Sequence, residues 1–292
     1  FETPAGKPAP FKVLAPGEQT APVVFASPHS GRRYPVDFVA ASRLNPVGLR
    51  RSEDAFVDEI YGAAPAFGAP LLCAHFPRAY VDPNREAYEL DPAMFQGPLP
   101  SFVNTGSPRI AAGLGTVAKV VTNGAEIYSG KLRFEEAERR IDACYHPYHK
   151  ALEGLIAATK KKFGGCLLID CHSMPSVGGP MDNDTGHRRV DMVLGDAHGA
   201  ACSVKIANIA ADALKGAGFA IMRNDPYAGG FTTRHYGKPK TSVHALQIEI
   251  NRALYMDEET IVRSPGMVDL RDKISILIEV LSGIDPALLS AS

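Results

Sequence analysis

The chain has 292 residues, 45% hydrophobic and 22% charged, with 31 basic against 32 acidic side chains and a formal net charge of −1. That composition is ordinary for a soluble globular protein and allows one large domain or two modest ones around a substantial core. The charge balance excludes the net basic face that non-specific nucleic-acid binding needs, while leaving room for a local basic pocket built from a few arginines.

Residues 1–20, rich in Pro, Gly and Ala, read as an extended lead-in to a single domain over 21–292. Residues 21–28 predict the first core strand. Ser27-Pro28-His29-Ser30-Gly31 breaks it, because Pro cannot donate to a ladder and Gly permits a sharp turn. Ser52 as N-cap, Glu53 and Asp54 at the positive end, and Phe56, Val57, Ile60 and Tyr61 at helical spacing predict a helix over 52–66. A strand is expected over 69–76, then another over 77–85 that runs into a turn. Residues 86–132 carry many Gly, Pro, Ser and Asn and no strong period. Connections of that length are usually functional, and short strands are expected inside it, around 116–121.

The strongest helical pattern covers 134–163. Ile141, Tyr145, Tyr148, Leu152, Ile156 and Thr159 share a stripe, three lysines at 160–162 suit the negative end, Gly164-Gly165 ends it, and Pro147 should kink it. Strands follow at 166–171, 190–194, 219–222 and 243–250, with helices at 201–217 and 266–283. The alternation predicts an α/β fold, a three-layer α/β/α domain around a central, mostly parallel or mixed sheet.

Cys73, Cys144, Cys166, Cys171 and Cys202 are odd in number and form no CxxC pair. Neither a disulfide framework nor a four-cysteine zinc site is expected, and the chain reads as cytoplasmic. No apolar run approaches the roughly 20 residues that span a bilayer. Residues 1–10 show neither the basic nor the apolar region of a signal peptide, so no membrane partner is expected.

Three strands deliver polar residues at their carboxyl ends, where α/β proteins place ligands and chemistry. Leu167-Leu168-Ile169 runs into Asp170, Cys171, His172 and Ser173. Val23-Val24-Phe25 runs into His29, and Leu246-Gln247-Ile248 into Glu249. Two histidines and a glutamate so placed point to a zinc-dependent hydrolase. Asp170 lies on the same strand face as His172 and can orient its ring, while Cys171 faces the other way and cannot pair with that histidine as a nucleophile. Glu249 interrupts a run that should be buried, so it needs a partner or a task. The partner at hand is Arg252. The task is general base toward water and then general acid toward a departing amine.

Six pieces in order then resemble the N-formylglutamate amidohydrolase family: Ser27 to Gly31, Arg78 with Val81-Asp82-Pro83-Asn84-Arg85, Pro147-Tyr148-His149, Asp170 to Ser173, Gly229-Gly230 with Thr233 to Gly237, and Gln247-Ile248-Glu249. The family is similar in fold to zinc carboxypeptidases and aspartoacylases, which are phosphorylase/hydrolase-like. The resemblance implies a mixed sheet flanked by helices and one Zn(2+) per chain held by two histidines and an acidic side chain. It also implies hydrolysis of N-formyl-L-glutamate to formate and L-glutamate, in the setting of histidine breakdown.

On that pattern the ligands are His29, His172 and Asp54, with Glu53 the alternative to Asp54; the competing reading of either acid is a helix N-terminal charge. Zinc carboxypeptidases carry a glutamate three residues after the first histidine, where this chain has Arg32. Asn84 and Arg85 resemble the carboxylate-binding pair of those enzymes. Arg234, after two glycines, and Arg78 are further substrate-binding candidates, because a guanidinium matches a carboxylate with two parallel hydrogen bonds and glutamate has two carboxylates. The alternative reading of any one of them is a surface ion pair. The family pattern also places His149 near the pocket. The nearest alternative is a related N-acyl amino acid deacylase or small-peptide metallohydrolase. Further off stand a serine or cysteine hydrolase, for which no GxSxG elbow exists, and a non-enzymatic amino-acid-binding module. The expected partner is a small acidic N-acyl amino acid; the oligomeric state is left open.

Overall fold

The computed structural model describes residues 9–180 and 182–291. Its main sheet contains β1 (Phe11–Leu14), β2 (Val23–Ser27), β3 (Leu71–Ala74), β4 (Cys166–Met174), β5 (Met192–Gly195), β6 (Ile221–Arg223) and β7 (Val243–Asn251). A small two-stranded sheet pairs β8 (Met256–Asp257) with β9 (Val262–Arg263). The helices are α1 (Val36–Ala41), α2 (Pro46–Arg50), α3 (Val57–Ile60), α4 (Pro108–Ala111), α5 (Phe134–Arg140), α6 (His146–Phe163), α7 (Val204–Gly216), α8 (Phe231–Tyr236) and α9 (Gly266–Ser282).

The strand order is β1-β3-β2-β4-β7-β5-β6. β3, β2, β4 and β7 run parallel, β1 pairs antiparallel at one edge, and β5 pairs antiparallel with β7 while running parallel to β6. The sheet is therefore mixed, as expected. Every residue of β4 and β7 is buried, which suits central strands covered on both faces. Alternation along each strand divides the core. Leu167, Ile169 and Cys171 pack with α3, α7 and α9. Cys166 and Leu168 lie on the other face with Tyr148 and Leu152 of α6. On that second face, beyond Leu168, the strand ends become polar.

Several local expectations change. Residues 11–14 are not a detached lead-in but edge strand β1, while residues 1–8 lie outside the described part. The helix expected over 52–66 shrinks to α3 and a 3-10 turn at Ala64–Phe67. Phe56 takes a left-handed φ of 67°, and Ser52 Oγ accepts a bond from the N–H of Thr122 instead of capping a helix. Residues 77–85 form turns, and the interval 116–121 contributes only an isolated bridge, Val120 to Glu126. The segment 86–132 nonetheless builds its own small core, in which Leu90, Phe95, Val117, Val121 and Ile127 pack with Phe38 and Leu49. The long helical pattern is split by a π-helical turn at Ile141–Tyr145 just before Pro147. A proline lacks the N–H and crowds the carbonyl four residues back, and the wider turn absorbs that misfit.

Gly154 sits inside α6 on the exposed side, and a Cβ there would meet no atom within 4 Å. Gly154→Ala should therefore stabilise the protein by about 0.5–1 kcal/mol, because alanine has fewer unfolded states to lose. Chemical denaturation should show a raised midpoint with an unchanged slope.

Candidate active site

The polar strand ends converge because of register. His172 of β4 pairs directly with Glu249 of β7, and Asp170 pairs with Gln247. In a parallel pair, facing residues project to the same side, so the histidine and the glutamate stand side by side on neighbouring strands. β2 is the other neighbour of β4, and the turn after it brings in His29. Gly31 is required in that turn, since a Cβ would lie 2.0 Å from the carbonyl oxygen of Phe76.

Asp54 arrives from the loop before α3. Its N–H donates to the carbonyl of His29 at 3.0 Å, which locks the two residues together. Nδ1 of His29 lies 3.3 Å and Nδ1 of His172 3.0 Å from the same oxygen, Asp54 Oδ2. One donor atom from each of the three residues falls within 4.8 Å of the others, and all three residues are buried. Glu53 points elsewhere: both its oxygens accept from Arg50, and Tyr34 Oη donates to it as well.

Each ring has its second nitrogen on another carboxylate. Nε2 of His29 lies 2.7 Å from Asp82 Oδ1, and Nε2 of His172 lies 2.9 Å from Asp170 Oδ1. In the latter contact the Asp170 oxygen lacks a well-aligned donor. Arg252 donates to Asp54 Oδ1 at 2.9 Å and to Ser173 Oγ at 3.2 Å. It thus serves Asp54 and not Glu249, the partner that the sequence suggested. Arg78 donates to Asp82 at 3.0 Å.

The electrostatics follow. Burial disfavours the charge on Asp54, but hydrogen bonds from His172 and His29 outweigh it and hold the carboxyl well below its usual range. Burial likewise opposes a charged His172, yet the neighbouring Asp170 and Asp54 raise it well above an ordinary histidine. Glu249 behaves oppositely. Burial raises it to about 7, and the nearby His172 only partly offsets this. Gln247 fixes its orientation, donating from Nε2 to Glu249 Oε1 at 2.9 Å while Gln247 Oε1 accepts from the N–H of Gly230 at 2.7 Å.

His29, Asp82, His172, Gln247, Glu249 and Arg252 line a cavity of about 480 Å³ that also receives Arg78, Asn84, Arg85, Arg109 and Arg234. Asn84 Oδ1 accepts from the N–H of Thr232, and its amide nitrogen lies 3.2 Å from His172 Nε2. Gly230 must lack a side chain here, because a Cβ would sit 2.3 Å from that amide. Arg85 donates to the carbonyls of Leu114 and Asn84, and Arg234 Nε to that of Gly229. His149 is placed differently from expectation. It stands outside the cavity lining, with Nε2 donating to the carbonyl of Pro83 at 2.9 Å and Nδ1 accepting from Tyr236 Oη at 2.7 Å. Burial pulls it down to about 4, so it is a neutral brace behind the Asn84-Arg85 turn. Cys171 points into the opposite core and burial pushes its thiol well up, which leaves no cysteine nucleophile beside His172.

Sequence reasoning did not single out Asp82, Gln247, Arg252 or Arg109 as site residues. The first two lie inside stretches already noted for their resemblance. Arg109 belongs to the segment without periodicity, where no pattern marks it.

Comparison with known proteins gives the family. The N-formylglutamate amidohydrolase family matches residues 21–256. An N-formylglutamate deformylase from Pseudomonas aeruginosa is 30% identical over 251 residues, covering 85% of this chain and 87% of its own length. One from Pseudomonas putida is 27% identical over 250 residues, covering 85% and 86%. The crystal structure of an N-formylglutamate amidohydrolase from Ralstonia eutropha JMP134 superposes with a TM-score of 0.86 at 35% identity, covering 94% of this chain and 97% of that one. The chain belongs to the N-formylglutamate amidohydrolase family.

Proposed function

We propose that this amide hydrolase removes the formyl group of N-formyl-L-glutamate, giving formate and L-glutamate, with one zinc ion held by His29, His172 and Asp54. The observation that carries the reading is the convergence of those three side chains beside Glu249 in a cavity lined by arginines. Relatives named N-formylglutamate deformylase support the substrate.

The residues fit a divalent cation. Two imidazole nitrogens and one carboxylate oxygen leave an open position, the pattern of catalytic rather than structural zinc. Both histidines have their far nitrogen against a carboxylate, the usual way of fixing a ligand ring. The chemistry such an ion supplies is Lewis-acid polarisation of an acyl oxygen and acidification of water. The chain's own residues do the rest. Glu249, kept near neutrality by burial, accepts a proton from the attacking water and returns it to the amide nitrogen as the C–N bond breaks. Gln247 holds that carboxylate in place. Asn84, Arg85, Arg234 and Arg78 offer donors for the substrate's carboxylates. The reading carries with it a cytoplasmic setting, consistent with five free, buried cysteines, and a place in histidine breakdown. No helix among the described residues is long and apolar enough to cross a membrane.

Formate release from N-formyl-L-glutamate tests the reading. The wild-type protein should release formate and lose that activity to a chelator, while Glu249→Gln should keep its metal and KM but lose about 10²–10⁴ in kcat. A chelator-resistant enzyme, or a Glu249→Gln variant near wild type, would contradict it. Asp82→Asn should weaken zinc affinity by about 10–100-fold in a competition titration; an unchanged affinity would remove Asp82 from the support of His29.

A further inference from the structure

Most cationic groups lining the cavity are already engaged. Arg78 is paired with Asp82 and Arg252 with Asp54, and Arg85 spends two donors on backbone carbonyls. Arg109 is the exception. It lines the cavity and is exposed, and among the described residues its guanidinium meets no hydrogen-bond or ion-pair partner. Its placement is nonetheless built. The peptide of Leu114 joins it to Arg85: the N–H of Leu114 donates to the carbonyl of Arg109 at 2.8 Å, and the carbonyl of Leu114 accepts from Arg85 Nε at 2.8 Å. The backbone of Leu114 thus ties the main chain of Arg109 to the guanidinium of Arg85 along one wall. Burial pulls Arg85 down to about 10, with Asp82 opposing and the positive charges of Arg109 and Arg78 adding to the fall. Arg78, Arg85 and Arg109 thus lie close enough to feel one another's charge, and Arg109 has no carboxylate partner among the described residues.

We propose that Arg109 is the specificity-determining residue that reads the side-chain carboxylate of the substrate, and that the aperiodic segment 86–132 exists in part to carry it there. The inference rests on the proposed reaction and extends it. Arg85 Nη2 lies 3.6 Å from Asp82, the carboxylate that contacts His29, so Arg85 is nearer the reacting centre than Arg109. In an N-acyl glutamate the α-carboxylate lies close to the scissile amide and the γ-carboxylate lies farther along the chain. Arg85 therefore suits the first and Arg109, farther out on α4, the second. Arg234, whose Nε is held by Gly229, is the competing candidate.

The test compares an acid with its neutral isostere on zinc-loaded wild type, Arg109→Ala, Arg109→Gln and Arg234→Ala. For N-formyl-L-glutamate, both Arg109 variants should lose about 10–100-fold in kcat/KM, mostly through KM, as expected for a charge-assisted hydrogen bond. For N-formyl-L-glutamine they should stay within about threefold of wild type. Equal losses on both substrates, no loss on the acid, or a selective loss seen only in Arg234→Ala would overturn the proposal. Calorimetric binding of L-glutamate against L-glutamine is read in parallel. A wild-type protein that turns over neither formyl compound contradicts the proposed reaction, yet the Arg109 assignment still stands or falls on whether Arg109→Ala removes its preference for glutamate over glutamine.

Discussion

One buried carboxylate, that of Asp54, organises the candidate site. Its Oδ2 faces Nδ1 of both histidines, its Oδ1 takes a hydrogen bond from Arg252, and its own N–H is bonded to the backbone of His29. A lone ionised carboxylate in such a place would be prohibitively costly. Here two imidazoles and a guanidinium face it, and those groups come from separate parts of the chain: the turn after β2, the end of β4 and the residue after β7. The same partners explain why α3 starts late. The backbone at 52–56 bends to aim Asp54 inward and Glu53 outward toward Arg50, so the helix that the spacing predicts cannot begin there.

Around that centre runs a shell of further carboxylates and arginines. Asp82 and Asp170 sit behind the histidines, and Arg78 sits behind Asp82. Each charge has an opposite neighbour, which keeps side chains in fixed rotamers and the ring nitrogens aimed at one point. Glu249 stands apart from this network. It has a single hydrogen bond, from Gln247, and the charges of His172 and Arg78 only partly offset its burial. That isolation is what holds its proton affinity near neutrality, where a group can both take and return a proton.

Much of this was legible in the sequence where apolar runs end in polar residues. The runs into His29, Asp170, His172 and Glu249 announced buried strands with polar tips, and the structure places all four residues at one end of one sheet. Register was not legible: that His172 faces Glu249 across β4 and β7 depends on pairing between segments more than 70 residues apart in the chain. Asp54 could be named only through resemblance, since its local pattern is equally that of a helix N-terminal acid. Arg109 and the turn at 77–85 escaped for a different reason. The turn is held by bonds to distant backbone, such as that of Asp82 N–H to the carbonyl of Thr116, and Arg109 sits on a single helical turn closed by Leu114 N–H; neither leaves a periodicity to read. His149 was misleading because a buried histidine on a helix face resembles a pocket residue until both its nitrogens are seen to be occupied.

The central claim is that His29, His172 and Asp54 meet on a single metal ion. Diffraction from crystals of the zinc-loaded protein, recorded on both sides of the zinc absorption edge, tests it most directly. The account predicts one anomalous peak, bounded by Nδ1 of His29, Nδ1 of His172 and Oδ2 of Asp54. A map with no peak there, or with its peak on other side chains, would contradict it.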